Sequence, residues 1–205
     1  MTKPVLTNAI FEEYKALYPD DAKLQALTMD EMLRATAGVK VDFSTLTYPG
    51  EAAGLLGDGW SCAEGIGYVV FDCVCLFLGA ATLRSSLTAE AAESMAKAAA
   101  PVMSQMEKYI ATMAASTSSK TDIATAVFGI ISTIYSGGCL GAVLSAFLGS
   151  LTWYEAALYG VTAMATIVAA LATDGAAEIA LIVIELATAG FLVNDSINCV
   201  KACNY

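Results

Sequence analysis

The sequence predicts an all-α protein, a compact multi-helix bundle with a central hydrophobic helical hairpin. Three observations lead there. Of 205 residues, 57% are apolar and 15% charged, against roughly 45–50% and about 25% in an ordinary soluble domain. No long segment alternates apolar and polar residues with period two, so the strand template fails. Thr28-Met-Asp-Glu31 and Thr152-Trp-Tyr-Glu155 have capping-box spacing, a hydroxyl and a carboxylate three residues apart that satisfy the free amides of a helix start. The length suits one domain or two small ones. A soft boundary falls near residue 60, after the Gly-rich stretch Gly50–Gly59. It divides an amphipathic helical segment and loop (1–60) from an apolar helical bundle (61–205).

Asn8–Tyr18 reads as a short amphipathic helix with Ile10, Tyr14, Leu17 and Tyr18 on one side, ended by Pro19. The Thr28 box starts a second helix that should run to Gly38. Val39–Gly59 is loop-like, with an extended piece expected at Val39–Phe43. Glu64–Leu83 carries only two acids before its end and is near the ~20 residues a bilayer crossing needs. Thr88–Ala115 is a long Ala- and Met-rich helix with Met95, Val102, Met106, Tyr109 and Met113 on one face and a kink at Pro101. Ser116–Lys120 is a polar hinge.

Ile123–Tyr154 contains no charge. Its Gly137-Gly138 pair breaks it into two helices joined by a tight turn; alternatively, one continuous helix aligns Gly129, Thr133, Gly137, Gly141, Ser145 and Gly149 as a ladder of small residues. The break is favoured, since adjacent glycines each cost a helix roughly 1 kcal/mol relative to Ala. The Thr152 box opens a helix over Trp153–Ala172. Thr173-Asp174-Gly175 is the turn, and Asp174 is expected to cap a second arm running to about Val193. Asn194-Asp195-Ser196 marks an end or kink before a last turn, Ile197–Cys203.

Charge limits function. Ten basic against twenty acidic residues give net −10, which argues against nucleic acid as a partner. With no histidine, the commonest general base and metal ligand is missing. There is no phosphate loop, dinucleotide fingerprint or nucleophile elbow, so no catalytic residue, cofactor or metal is assigned, and the chain reads as a non-enzyme. Between Lys120 and Lys201 no cation occurs. The N-terminus has no apolar leader region, which places the expected protein in the cytoplasm or on a non-classical route of secretion.

The candidate residues all concern burial and membranes. Glu155, Asp174, Glu178 and Glu185 lie in the apolar back half. They are either a proton switch, whose protonation removes the charge resisting membrane entry, or helix caps and solvent-facing positions, a role the helix dipole favours at Glu155 and Asp174. Trp153, Tyr154 and Tyr159 would anchor at a membrane interface or serve as large core residues. Leu171, Ile182 and Phe191 complete the apolar face of the hairpin. Cys62, Cys73, Cys75, Cys139, Cys199 and Cys203 are even in number. They read first as small buried hydrophobes, then as disulfides, and least readily as a metal site, for which their spacing fits no zinc pattern. The methionines read as core filler before an adaptable binding face.

An amphipathic shell followed by the charge-poor hairpin Trp153–Val193, each arm about 19 residues, resembles the channel-forming domain of colicins and other helical pore-forming toxins over residues 61–205. That resemblance implies a soluble bundle that opens and inserts its hairpin in a lipid membrane. The chain departs from that class in its scarcity of basic residues to meet anionic lipid. Tyr135-Ser-Gly-Gly-Cys-Leu-Gly141, Tyr159–Ala165 and Ala172–Ala176 also look similar to small uncharacterised bacterial proteins. Two functions are therefore expected in competition: a pore-forming, acid-triggered toxin or bacteriocin-like protein masked by residues 1–60, and a self-assembling structural or interaction protein whose apolar excess forms a homo-oligomer interface. A constitutive four-span protein is a weaker expectation, because the back loops hold no Lys or Arg to set orientation.

Overall fold

The computed structural model describes residues 5–43, 61–81, 87–149, 151–186 and 190–204, and among these every regular element is helical. Three short helices open the chain: α1 (Asn8–Ala16), α2 (Ala22–Ala26) and α3 (Met29–Ala35). Thr7 caps α1 by accepting from the Ile10 amide at 3.3 Å. Asp21 caps α2 by accepting from the Lys23 and Leu24 amides, each at 3.0 Å. The Thr28 box forms as expected: Glu31 accepts from the Thr28 amide at 2.9 Å and the Thr28 hydroxyl accepts from the Glu31 amide at 3.2 Å. α3 stops at Ala35 rather than Gly38, and Val39–Phe43 is irregular rather than a strand. The Gly50–Gly59 boundary lies outside the described residues.

The most enclosed element is α4 (Cys62–Phe77), in which every residue from Gly65 to Phe77 is buried. It is capped by a box the sequence reading passed over: the Ser61 amide donates to Glu64 at 2.7 Å and the Glu64 amide to the Ser61 hydroxyl at 3.1 Å. It ends at Phe77, short of Leu83, in a Schellman turn. Gly79 takes φ +69° there, and the Ala80 amide reaches the Cys75 carbonyl at 2.6 Å.

α5 (Ala89–Ala99) and α6 (Met103–Ala114) replace the single kinked helix. Pro101 does not bend a continuous helix; it sits in a 3-10 turn, Ala100–Val102, that separates two, because proline cannot donate into the helical ladder. Met95, Val102, Met106 and Met113 are buried as expected, while Tyr109 is half-buried and packs on the core from outside. α7 (Lys120–Ser136) starts at the polar hinge with a Ser119–Asp122 box. The glycine pair breaks the next segment. α8 (Leu140–Leu148) leaves α7 at 111°. Gly138 adopts φ +71°, and the Cys139 amide donates to the Ile134 carbonyl at 3.0 Å, another Schellman stop.

α9 spans Trp153–Ala172, the predicted bounds. Its second arm differs. α10 covers only Ala176–Glu185, and α11 (Phe191–Cys203) is separate. Asp174 does not cap α10. With φ +54° it is the left-handed residue that closes α9, and the Gly175 amide donates to the Ala170 carbonyl at 2.8 Å. Gly175 is the residue that precedes α10. Asn194-Asp195-Ser196 is neither an end nor a kink. Leu192, Asp195, Ser196 and Cys199 form one buried stripe at helical spacing along α11. The front helices join the same core as the back ones: Phe11, Tyr14, Leu24 and Met32 are buried in one cluster with α4 and α9.

Candidate functional site

The feature with the clearest functional content is α9 and what covers it. Residues 156–173 hold no charge, with Glu155 before them and Asp174 after. Twenty helical residues extend ~30 Å, the thickness of a bilayer's hydrocarbon core. The hydroxyls of Thr162 and Thr166 donate back to the carbonyls of Leu158 and Thr162, at 2.8 and 3.0 Å. These two hydroxyls thereby find their partners within the helix, as polar groups in a segment entering lipid must.

α8 and α10 pack on α9, and so do α1, α3 and the segment 40–43, whose contacts with α9 are neutral. Gly160 lets the Tyr14 ring lie flush on α9; a Cβ there would fall 2.3 Å from the ring. The Tyr14 hydroxyl donates to the Ala156 carbonyl at 3.5 Å. The Tyr159 hydroxyl donates to the Lys40 carbonyl and accepts from the Asp42 amide, both at 3.3 Å, and Phe43 packs edge-on against its ring. Near the start of α9, the Tyr18 hydroxyl donates to the Gly141 carbonyl at 2.8 Å. Burial, opposed by a hydrogen bond with Tyr18 and aided by the Asp21 charge, pushes Tyr14 up to about 12. Burial first, then the neighbouring Tyr14, raises Tyr18 as well.

The predicted hairpin residues are distributed unevenly. Tyr159 and Ile182 are buried, Trp153, Leu171 and Phe191 half-buried, and Tyr154 is 44% exposed. Trp153 and Tyr154 pack edge to face at 4.7 Å at the mouth of α9. The ten residues of α10 reach only ~15 Å, so the second arm is too short to cross a bilayer. Among the described residues α9 is the single helix that is long and apolar enough, with the bent α7–α8 pair a second candidate.

The four acids do not gather. Glu155 accepts from the Thr152 amide at 3.3 Å and from its hydroxyl, as the acidic partner of the N-cap Thr152 in the capping box of α9. Asp174 is exposed in the turn. Glu178 and Glu185 are half-buried on α10, and one Glu178 oxygen is shielded from solvent.

Of the cysteines, Cys62 and Cys203 form a disulfide across 141 residues of sequence, tying the end of α11 to the start of α4. Cys73, Cys139 and Cys199 are free thiols, and these three and Cys75 are buried. Burial, with the Asp72 charge beside it, raises the Cys73 thiol well above its usual range, and burial pushes Cys199 up to about 12. The Cys73 and Cys199 thiols stay protonated and unreactive at neutral pH. No three acidic, cysteine or histidine side chains among the described residues are placed to hold a metal ion.

Sequence reasoning did not anticipate the cleft at the mouth of α9, where Tyr14, Tyr18, Asp21 and Trp153 meet. The four-residue spacing of Tyr14 and Tyr18 was its one local signal. The chain matches no protein-family model, no curated protein and no solved structure.

Proposed function

We propose that this protein is a water-stable helical bundle that inserts into membranes and forms pores, with α9 as the segment that enters lipid. One observation carries the reading: α9, twenty residues long and charge-free after Glu155 in its first turn, lies packed against the N-terminal helices α1 and α3 in the shared core. Neutral contacts of this kind release without first breaking a buried ion pair, whose loss would leave a charge stranded. α9 replaces the two-arm hairpin as the inserting unit, because α10 is short. Acid favours entry in this scheme, since Glu155 and Asp174 bracket the apolar stretch and protonation removes the charges nearest the lipid boundary.

The test is dye release from liposomes, containing either anionic lipid or sterol, at pH 7.4 and at about pH 4.5, close to the carboxylate range. Release that rises at the lower pH is expected. Intact vesicles at both values, with both lipids, end the proposal.

A second reading rests on α10. Its sequence is strongly apolar, yet only Ile182 among its residues is buried, and Ile184 is 66% exposed. A self-associating protein would cover that flank with a second copy. Light scattering at micromolar concentration separates the readings. A stable dimer that Ile184→Glu dissociates supports assembly; a monomer removes it.

A further inference from the structure

We infer that the cleft bounded by α1, the end of α8 and the mouth of α9 is a binding site for an organic cation of the quaternary ammonium class. Its cavity of about 310 Å³ lies at the lower end of the range for small-molecule sites. Three aromatic side chains line it, Tyr14, Tyr18 and Trp153, together with one carboxylate, Asp21, and no Lys or Arg. Aromatic faces attract alkylated ammonium groups through the ring quadrupole, and an alkylated cation is weakly enough hydrated to enter such a cage.

The electrostatics agree with this from independent directions. Asp21 is the one ionisable carboxylate on the cleft wall, with no Lys or Arg beside it there to offset its charge. α8 ends there at Leu148 and Gly149, and a helix C-terminus carries partial negative charge that favours cations. The opposing positive end of α9 is already met by the Glu155 carboxylate. Tyr14 and Tyr18 are fixed against each other, with ring centroids 5.2 Å apart, and each hydroxyl is committed to a backbone carbonyl. The walls are therefore preorganised, with their polar ends turned to the protein.

The same chemistry has two sources, a free small cation such as choline or the phosphocholine headgroup of a membrane lipid. The lipid form rests on the proposed membrane function, and would give a chain poor in basic residues a way to recognise zwitterionic bilayers. Cation binding itself does not depend on that function.

The experiment titrates the full chain with tetramethylammonium and choline. The neutral isostere 3,3-dimethylbutanol and potassium chloride serve as controls. Trp153 fluorescence is read in a Trp60→Phe background, and ligand-observed saturation-transfer NMR repeats the titration on the unmodified chain. Saturable binding of both cations with a Kd on the order of 1 mM is expected, with no saturation by either control. Asp21→Asn keeps a residue type that still caps α2 and should weaken binding about threefold or more. Ser145→Arg, at an exposed α8 position lining the cleft, brings a positive charge to it and should abolish binding. Saturation by the neutral alcohol equal to that by the cations, no saturation up to about 50 mM, or unchanged affinity in Ser145→Arg overturns the site. Phosphatidylcholine vesicles are compared with phosphatidylglycerol vesicles in parallel. A phosphatidylcholine preference lost in Ser145→Arg supports the lipid form, and cation binding without that preference overturns the lipid form alone. Dye release measured separately reports on the pore, so its failure leaves the cation result standing.

Discussion

Gly67 shows how single residues set the packing. A Cβ on it would lie 1.8 Å from the Ala92 carbonyl oxygen and 2.8 Å from the Ala92 Cα, so α5 crosses α4 with backbone against helix. On the neighbouring flank, a Cβ on Gly65 would meet the Cys199 Cα of α11 at 2.9 Å. Backbone cannot rotate aside, so Gly67→Ala should destabilise the protein by about 3 kcal/mol, read as a lowered urea midpoint. A loss below about 1 kcal/mol would mean that α5 slides freely on α4. The nearest atoms to a Cβ at Gly160 belong to the Tyr14 side chain rather than to backbone, so Gly160→Ala should cost less than Gly67→Ala. Tyr14 also makes stability depend on alkaline pH. Its ordinary value is 10.0 and burial raises it to about 12. Between those values the unfolded chain gives up the proton first, so its stabilisation is complete below pH ~10 and is lost as pH rises toward ~12. Urea unfolding at pH 9 and 11 should differ by about 1 kcal/mol from this residue, and Tyr14→Phe should shrink the difference.

Helices in this chain are specified mainly at their ends. Reciprocal Ser or Thr and acid pairs open α3, α4 and α7, and Gly79, Gly138 and Asp174 in left-handed geometry help close α4, α7 and α9. Ser61→Ala removes the acceptor for the Glu64 amide and should cost about 1 kcal/mol, with the fraying at the start of α4 visible in amide exchange. The boxes carry an acid dependence of opposite sense to the tyrosine. Hydrogen bonds from Thr28 hold Glu31, and those from Ser119 hold Asp122, below the usual carboxylate range. Their contribution is present above the unfolded values and disappears as pH falls through the lowered ones. An amide-exchange profile at neutral and acid pH should show α3 and α7 loosening first at their N-termini.

Across the whole molecule, the Cys62–Cys203 bond closes most of the chain into one loop of 141 residues. Loop-closure entropy for that length amounts to about 5 kcal/mol, and measured bridges deliver about 2–4 kcal/mol. Cys203→Ser should therefore lower the unfolding free energy within that range, and dithiothreitol should reproduce the effect on the unmodified protein. Equal stability of the two forms would show that α11 is held on α4 by packing alone. The front helices, α4 and α9 share one apolar cluster, so exposing α9 in the proposed membrane step requires the N-terminal helices to leave first.

The parts of this protein that the sequence determined by itself are those governed by neighbouring residues. The Thr28 and Thr152 starts, the break at Gly137-Gly138, the turn at Thr173–Gly175 and the bounds of α9 all follow from which side chains can satisfy or excuse nearby backbone groups. Tertiary structure alone decided the rest. Asn194-Asp195-Ser196 reads locally as an end or a kink, yet α11 runs through it and carries Leu192 and Cys199 into the core on either side. The pairing of two cysteines from six, the placing of α4 at the centre and the cleft built from α1, α8 and α9 depend on contacts between residues far apart in the chain. No local pattern records them, because the free energy that selects them arises only when whole faces meet and exclude water.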